Sequence, residues 1–196
     1  MKKILTKISV FGLFIAFFGG MVSCEDVVQP KPSGYYRIDL PDREFKQWRE
    51  SCPFEFKVSN QAVVTKSNKV KSYCYYDLTY PNFNATLYLS YLPVKNNLKS
   101  LVDQEFTMRE KHNAFSTGTN ERLFRDLEHK VSAMIFDVKG VKAATPLQFF
   151  VTDSVNHFFR GALYFYNSPN NDSLAPVIEY IRQDIDTLIS SFRWKD

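Results

Sequence analysis

Three cysteines and three histidines are the side chains of this chain best suited to nucleophilic, redox or metal chemistry. Cys24 closes the run Met21-Val22-Ser23-Cys24. That run looks like a bacterial lipobox with Met where Leu is usual, and the chemistry it implies is acylation of the Cys24 sulfur. Cys52 and Cys74 would close a loop of 22 residues if bridged, worth about 3 kcal/mol by chain entropy. Two buried thiols are the alternative, because sequence does not place their Cα atoms within bridging range. Neither belongs to a Cys-x-x-Cys pair and neither has a His beside it, which argues against a catalytic thiol. His112, His129 and His157 stand far apart with no zinc spacing. The acid pairs Glu25/Asp26 and Asp184/Asp186 could move protons; a tether and a solvated helix face explain them more simply. Gly34, Gly118, Gly140 and Gly161 build no phosphate-cradling loop, and no Gly-x-Ser-x-Gly elbow occurs. The expectation is therefore no catalytic residue, no metal, no cofactor and no enzyme.

The residues before Cys24 read as an export signal, predicted to span 1–23. Lys2, Lys3 and Lys7 form a charged start, Ile8 to Phe18 an apolar run, and Gly19, Gly20 and Ser23 a small-residue cleavage region. The apolar run falls short of the roughly 20 residues that cross a bilayer. Acyl chains on Cys24 would supply the anchor instead, each buried CH₂ contributing about 0.8 kcal/mol. Residues 24–34 then make a polar tether, which Pro30 and Pro32 hold extended. The partner implied by the anchor is a membrane, and the place is the cell envelope facing the periplasm.

The whole chain carries 25 Lys+Arg against 21 Asp+Glu in 196 residues. Without the three leader lysines the charge is close to zero, so nothing global draws the protein to nucleic acid. An aromatic content of 16% excludes a disordered chain. Residues 35–196 are predicted to form a single domain.

Within that domain Phe54-Glu55-Phe56-Lys57-Val58 alternates apolar and charged, as a half-buried strand does. Tyr73 to Tyr80 and Ala85 to Leu92 read as a hairpin about the turn Pro81-Asn82-Phe83-Asn84. The spacing of Leu98, Leu101, Val102, Glu105, Phe106 and Arg109 predicts a helix over 98–114, with Asn97 as N-cap. The polar stretch 115–128 reads as a loop. Strands follow at 130–139, 146–152 and 157–166, with a turn at Asp153-Ser154-Val155-Asn156. From Ser173 onward, Val177, Ile178, Ile181, Ile185, Leu188, Ile189 and Phe192 line one helical face, with Pro176 tolerated in the first turn. The order strands, helix, strands, helix predicts an α+β fold, an antiparallel sheet covered by two main helices.

Two stretches are candidate contact surfaces. On a strand, Phe159, Gly161, Leu163 and Phe165 share one face, and Phe158, Arg160, Ala162, Tyr164 and Tyr166 the other. The first face reads as core. Arg160, Tyr164 and Tyr166 on the second are residue types enriched at binding hot spots, though a covering helix is the simpler expectation. Arg193 and Trp194 are the second candidate, Trp194 either docking onto the body or anchoring a partner. The runs Asp153-Ser154-Val155, Asp172-Ser173-Leu174 and Asp186-Thr187-Leu188 resemble an O-glycosylation acceptor pattern of Bacteroidetes periplasmic proteins. For Ser154 and Ser173, turn and cap duty is the plainer reading, and Thr187 is expected in a helix.

Several runs together resemble one family, the gliding motility lipoprotein GldD of Bacteroidetes. They are Cys24-Glu25-Asp26-Val27-Val28, Gly34 to Pro41, Cys52-Pro53-Phe54, Leu87 to Pro93, Asn96-Asn97-Leu98, Thr152-Asp153-Ser154, Phe159 to Phe165, Asp172 to Ile178, and Ser191-Phe192-Arg193-Trp194. The resemblance implies a lipid-anchored envelope protein needed for gliding, tied to other proteins of the gliding and type IX secretion machinery, with no catalytic residue to carry over. A weaker likeness is to Mog1/PsbP-type folds. The rival readings are a periplasmic binding module for a small molecule or glycan, using a pocket lined by the Tyr-rich strands, and a hydrolase, which would require clustered His, Asp or Glu in a cleft.

Overall fold

A computed structural model describes residues 38–67, 74–112, 115–166 and 170–195. Cys24, the leader and the tether lie outside the described residues.

The fold is α+β and layered. The strands are β1 (Phe45–Arg49), β2 (Phe54–Ser59), β3 (Val63–Lys66), β4 (Tyr75–Tyr80), β5 (Ala85–Pro93), β6 (Gly118–Asp126), β7 (Val131–Lys139), β8 (Leu147–Thr152), β9 (His157–Phe165) and β10 (Arg193–Trp194). Helix α1 is Leu98–His112 and α2 is Asn171–Ser190. Seven strands form one antiparallel sheet in the order β3-β4-β5-β9-β8-β7-β6, and β1, β2 and β10 form a second, small one.

Period-2 alternation builds both sheets. In β2, Phe54, Phe56 and Val58 point inward while Lys57 faces water. The β4–β5 hairpin pairs Tyr80 with Ala85 across a short 3₁₀ turn, Pro81–Phe83. Asn84 closes that turn in the left-handed region, at φ 50°, a conformation Asn tolerates. On one face of the large sheet, Leu87, Leu89, Phe149, Val151, Phe159 and Leu163 join β2 and the buried stripe of α2 in the main core. On the opposite face, Phe136, Phe150 and Phe158 pack with Leu101 of α1 in a smaller one. Helix α1 therefore covers only part of its face.

Gly161 lies at the crowded centre of β9. A Cβ there would stand 2.4 Å from the Phe149 ring, so only hydrogen fits.

Four local expectations are corrected. The stretch 115–128, expected as a loop, contains the nine-residue edge strand β6. Among the described residues its outer side meets no other strand, and charge on such an edge discourages pairing with other chains. Ion pairs fix it in place: Arg122 reaches Asp137 on β7 at 3.2 Å and Asp186 on α2 at 2.9 Å, and Arg109 of α1 meets Glu121. Next, Asn97 precedes α1 and its carbonyl accepts from Leu101 N, but its side chain bonds Lys95 N at 2.7 Å instead of the helix. Helix α2 begins at Asn171, two residues earlier than expected. Asn171 donates its side-chain amide to the Gly140 and Ala143 carbonyls, which tethers the helix start to the loop after β7. Pro176 consequently falls inside the helix, beyond the first turn. Finally, the solvated-face reading fails for Asp184, which is 3% exposed; Asp186 keeps it as a surface partner of Arg122.

Candidate functional site

Pairing register brings one small residue of β9 between large ones. Ala162 lies opposite Tyr88 of β5 on one side and Gln148 of β8 on the other. One step along, Arg160 pairs with Ser90, and in the other direction Tyr164 pairs with Thr86. These side chains share the face that α1 half covers. Glu105 and Met108 of α1 overhang the sheet, and the short Ala162 side chain leaves a hollow of about 350 Å³ between them.

The polar groups of the hollow are organised. Arg160 Nη1 donates to Glu105 Oε1 at 2.7 Å and meets Met108 Sδ at 3.2 Å. The pair joins sheet to helix, with Glu105 only 8% exposed; the carboxylate and guanidinium thus cancel each other at a site that water reaches poorly. Gln148 donates to the Thr145 hydroxyl. Tyr88 and Tyr164 pack edge to face with centroids 5.6 Å apart. The Tyr166 hydroxyl lies 3.1 Å from both the Tyr88 and Thr86 hydroxyls, and Thr86 is 3.2 Å from Thr79. Burial raises the Tyr164 phenol above its ordinary pKa despite the opposing pull of the Arg160 charge.

Of the residues singled out in sequence, Arg160 and Tyr164 therefore line the hollow, joined by Tyr88, Gln148, Ser90 and Glu105, while Tyr166 stands beside it, bonded to Tyr88. None of those four is singled out as a site residue in sequence, because they arrive from β5, β8 and α1 through long-range pairing and packing. Arg193 and Trp194 belong instead to the small sheet. The Trp194 ring stacks on His157 at 4.9 Å, meets Phe192 edge to face at 4.7 Å, and donates Nε1–H to the Lys130 carbonyl. Arg193 Nη1 lies 3.6 Å from Asp126. Cys52 and Cys74 are joined as a disulfide with Cα atoms 5.9 Å apart. Ser154 is exposed in the β8–β9 turn, where Asp153 Oδ1 accepts from the backbone N–H groups of Val155, Asn156 and His157. Ser173 sits in the first turn of α2, and Thr187 bonds the Gln183 carbonyl further along it.

The other titratable groups are engaged separately. His129 meets Asp126 Oδ2 at 2.7 Å, and His157 Nδ1 meets the Tyr91 hydroxyl at 2.8 Å. The side chain of His112 lies outside the described residues. Among the described residues no group of three His, Cys, Asp or Glu could hold a metal.

Asp184 is a buried acid on the core side of α2. Its carboxylate has Arg43 Nε 3.5 Å from Oδ1, yet among the described residues neither oxygen has a donor in good hydrogen-bonding geometry. Burial pushes its pKa up; the hydroxyls of Ser59 and Tyr80 and the Arg43 charge only partly offset that. The sign follows. The folded state holds this proton more tightly than the unfolded chain, so the group's contribution to stability is complete below the ordinary carboxylate pKa and is lost as pH rises through the raised value. Asp184→Asn should gain stability relative to the native chain as pH rises through that window. Urea midpoints of the two proteins across a pH series check this. A difference that stays constant with pH refutes the buried charge.

A family model described as gliding motility lipoprotein GldD matches residues 25–194. No curated protein matches the chain. Among solved structures, the solution structure of cyanobacterial PsbP (CyanoP) from Synechocystis is similar at 12% sequence identity and a TM-score of 0.49, covering 81% of this chain and 97% of that one.

Proposed function

The chain belongs to the gliding motility lipoprotein GldD family, and from that premise we propose that it is a lipid-anchored, non-catalytic assembly component of the gliding and type IX secretion machinery, facing the periplasm. The observation that carries the reading is the family match beginning at Glu25, the residue after the lipobox cysteine. An acylated Cys24 and the Pro-containing tether would confine the folded body to a thin layer at the membrane. Confinement raises its effective concentration for neighbouring subunits without any new contact. The partners so favoured are envelope proteins of the same machinery.

Cys24→Ala tests the reading. The variant should move from the membrane to the soluble envelope fraction, lose its acyl mass and fail to restore spreading to a deletion strain, while melting at the same temperature as the native body. Retention at the membrane, or full gliding by the deletion strain, overturns it.

A further inference from the structure

We infer that the hollow over Ala162 is a carbohydrate site, taking one neutral pyranose ring of a saccharide. The inference rests on the geometry of the hollow and not on the anchor.

Size is the first argument. About 350 Å³ falls at the small end of the roughly 300–1,000 Å³ typical of small-molecule sites, which suits one ring and not an extended chain. Shape follows from the sheet register. Ala162 is the low point, with Tyr88 and Gln148 raised across the strands and Arg160 and Tyr164 raised along β9. A disc-shaped ligand fits such a floor between walls.

Charge decides the class. Arg160 and Glu105 are paired at 2.7 Å, so the hollow holds one positive and one negative charge side by side. An anion would face Glu105 and a cation would face Arg160; each loses on one side what it gains on the other. A hydroxyl both donates and accepts, and neighbouring hydroxyls on a ring can meet a carboxylate and a guanidinium together. The guanidinium has five N–H donors, and Nη1 alone serves Glu105 and Met108. Gln148 adds an amide that can donate and accept.

The aromatic wall completes the match. Aromatic faces carry negative quadrupole charge, which suits the weakly positive C–H face of a pyranose. Tyr88 and Tyr164 hold each other edge to face, and the Tyr166 hydroxyl meets that of Tyr88 at 3.1 Å, so the wall is set before a ligand arrives. A pre-set wall reduces the ordering cost of binding.

The test uses the full chain, with saturation-transfer and chemical-shift measurements. The probes are methyl glucoside, methyl galactoside, N-acetylglucosamine and their β-linked disaccharides, with inorganic phosphate and methylamine as charged controls. At least one saccharide should bind in the millimolar range and shift signals of Tyr88, Ala162 and Tyr164. Ala162→Phe, which fills the floor, should abolish the response. Tyr88→Ala, which keeps the floor open, should weaken it about tenfold, with both variants checked for native melting. No response to any sugar overturns the inference, as does undiminished binding by both variants or a response to phosphate or methylamine alone. None of these outcomes bears on whether Cys24→Ala leaves the membrane, so the two readings fail independently.

Discussion

Phe54→Ala should lower the stability of the folded body by about 3–5 kcal/mol, the cost of emptying a buried aromatic site whose walls do not collapse. Phe54 is fully buried. Its ring centroid lies 4.8 Å from that of Phe159, 5.7 Å from Tyr91, 5.8 Å from Phe192, 6.0 Å from Trp48 and 6.1 Å from Phe56. These rings come from β1, β2, β5, β9 and the segment after α2. Strands hold the backbone on both sides of the gap, so the neighbours have little room to close it. A body of this size loses roughly 2–4 °C of melting temperature per kcal/mol, so a drop of about 6–20 °C is expected. Phe54→Leu keeps most of the volume and should cost far less. Urea melts of the two variants measure the difference. A loss below about 1 kcal/mol for Phe54→Ala would show that the two sheets are not locked through this ring.

Removing the Cys52–Cys74 bridge is the second large effect. The disulfide closes 22 residues, and a loop of that size restrains the unfolded chain by about 3 kcal/mol. It ties the start of β2 to the start of β4, and so the small sheet to the large one. Both cysteines are 1% exposed, so a reductant should reach them only after opening. Dithiothreitol should leave the native bridge intact and cut it readily in urea. The double variant Cys52→Ala/Cys74→Ala should melt about 3 kcal/mol lower with or without reductant. Equal midpoints for variant and oxidised native protein would mean the bridge adds nothing. Phe54 is two residues from Cys52, so the two losses should not simply add.

The period-2 and helical patterns made the layered α+β arrangement legible. Phe54, Phe56 and Val58 alternate because one face of β2 is dry, and the stripe from Val177 to Ile189 repeats because one side of α2 is buried. Patterning fails where burial is one-sided or absent. Strand β6 spends its residues on ion pairs with Asp137, Asp186 and Arg109, so it carries a loop's composition with a strand's backbone. Strand β10 is two residues long, too short for any period. The face of Arg160 and Tyr164 could be read because one strand carries both. Tyr88, Gln148 and Glu105 could not, since nothing local says which β5 or β8 residue lies opposite Ala162. Asp184 is misplaced by that reading because acids on a helix ordinarily face water, and only the fold reveals that Arg43, Ser59 and Tyr80 surround it.

The small sheet unites Phe54 and Glu55 with Arg193 and Trp194, partners separated by nearly the whole body. A polypeptide made from its amino end completes β1 and β2 long before β10. During that interval Phe54 and Phe56 have no Phe192 to rest against, and their greasy rings stay open on that side. This is a late-sealing architecture, in which the small sheet gains its third strand only after every strand of the large sheet has been made.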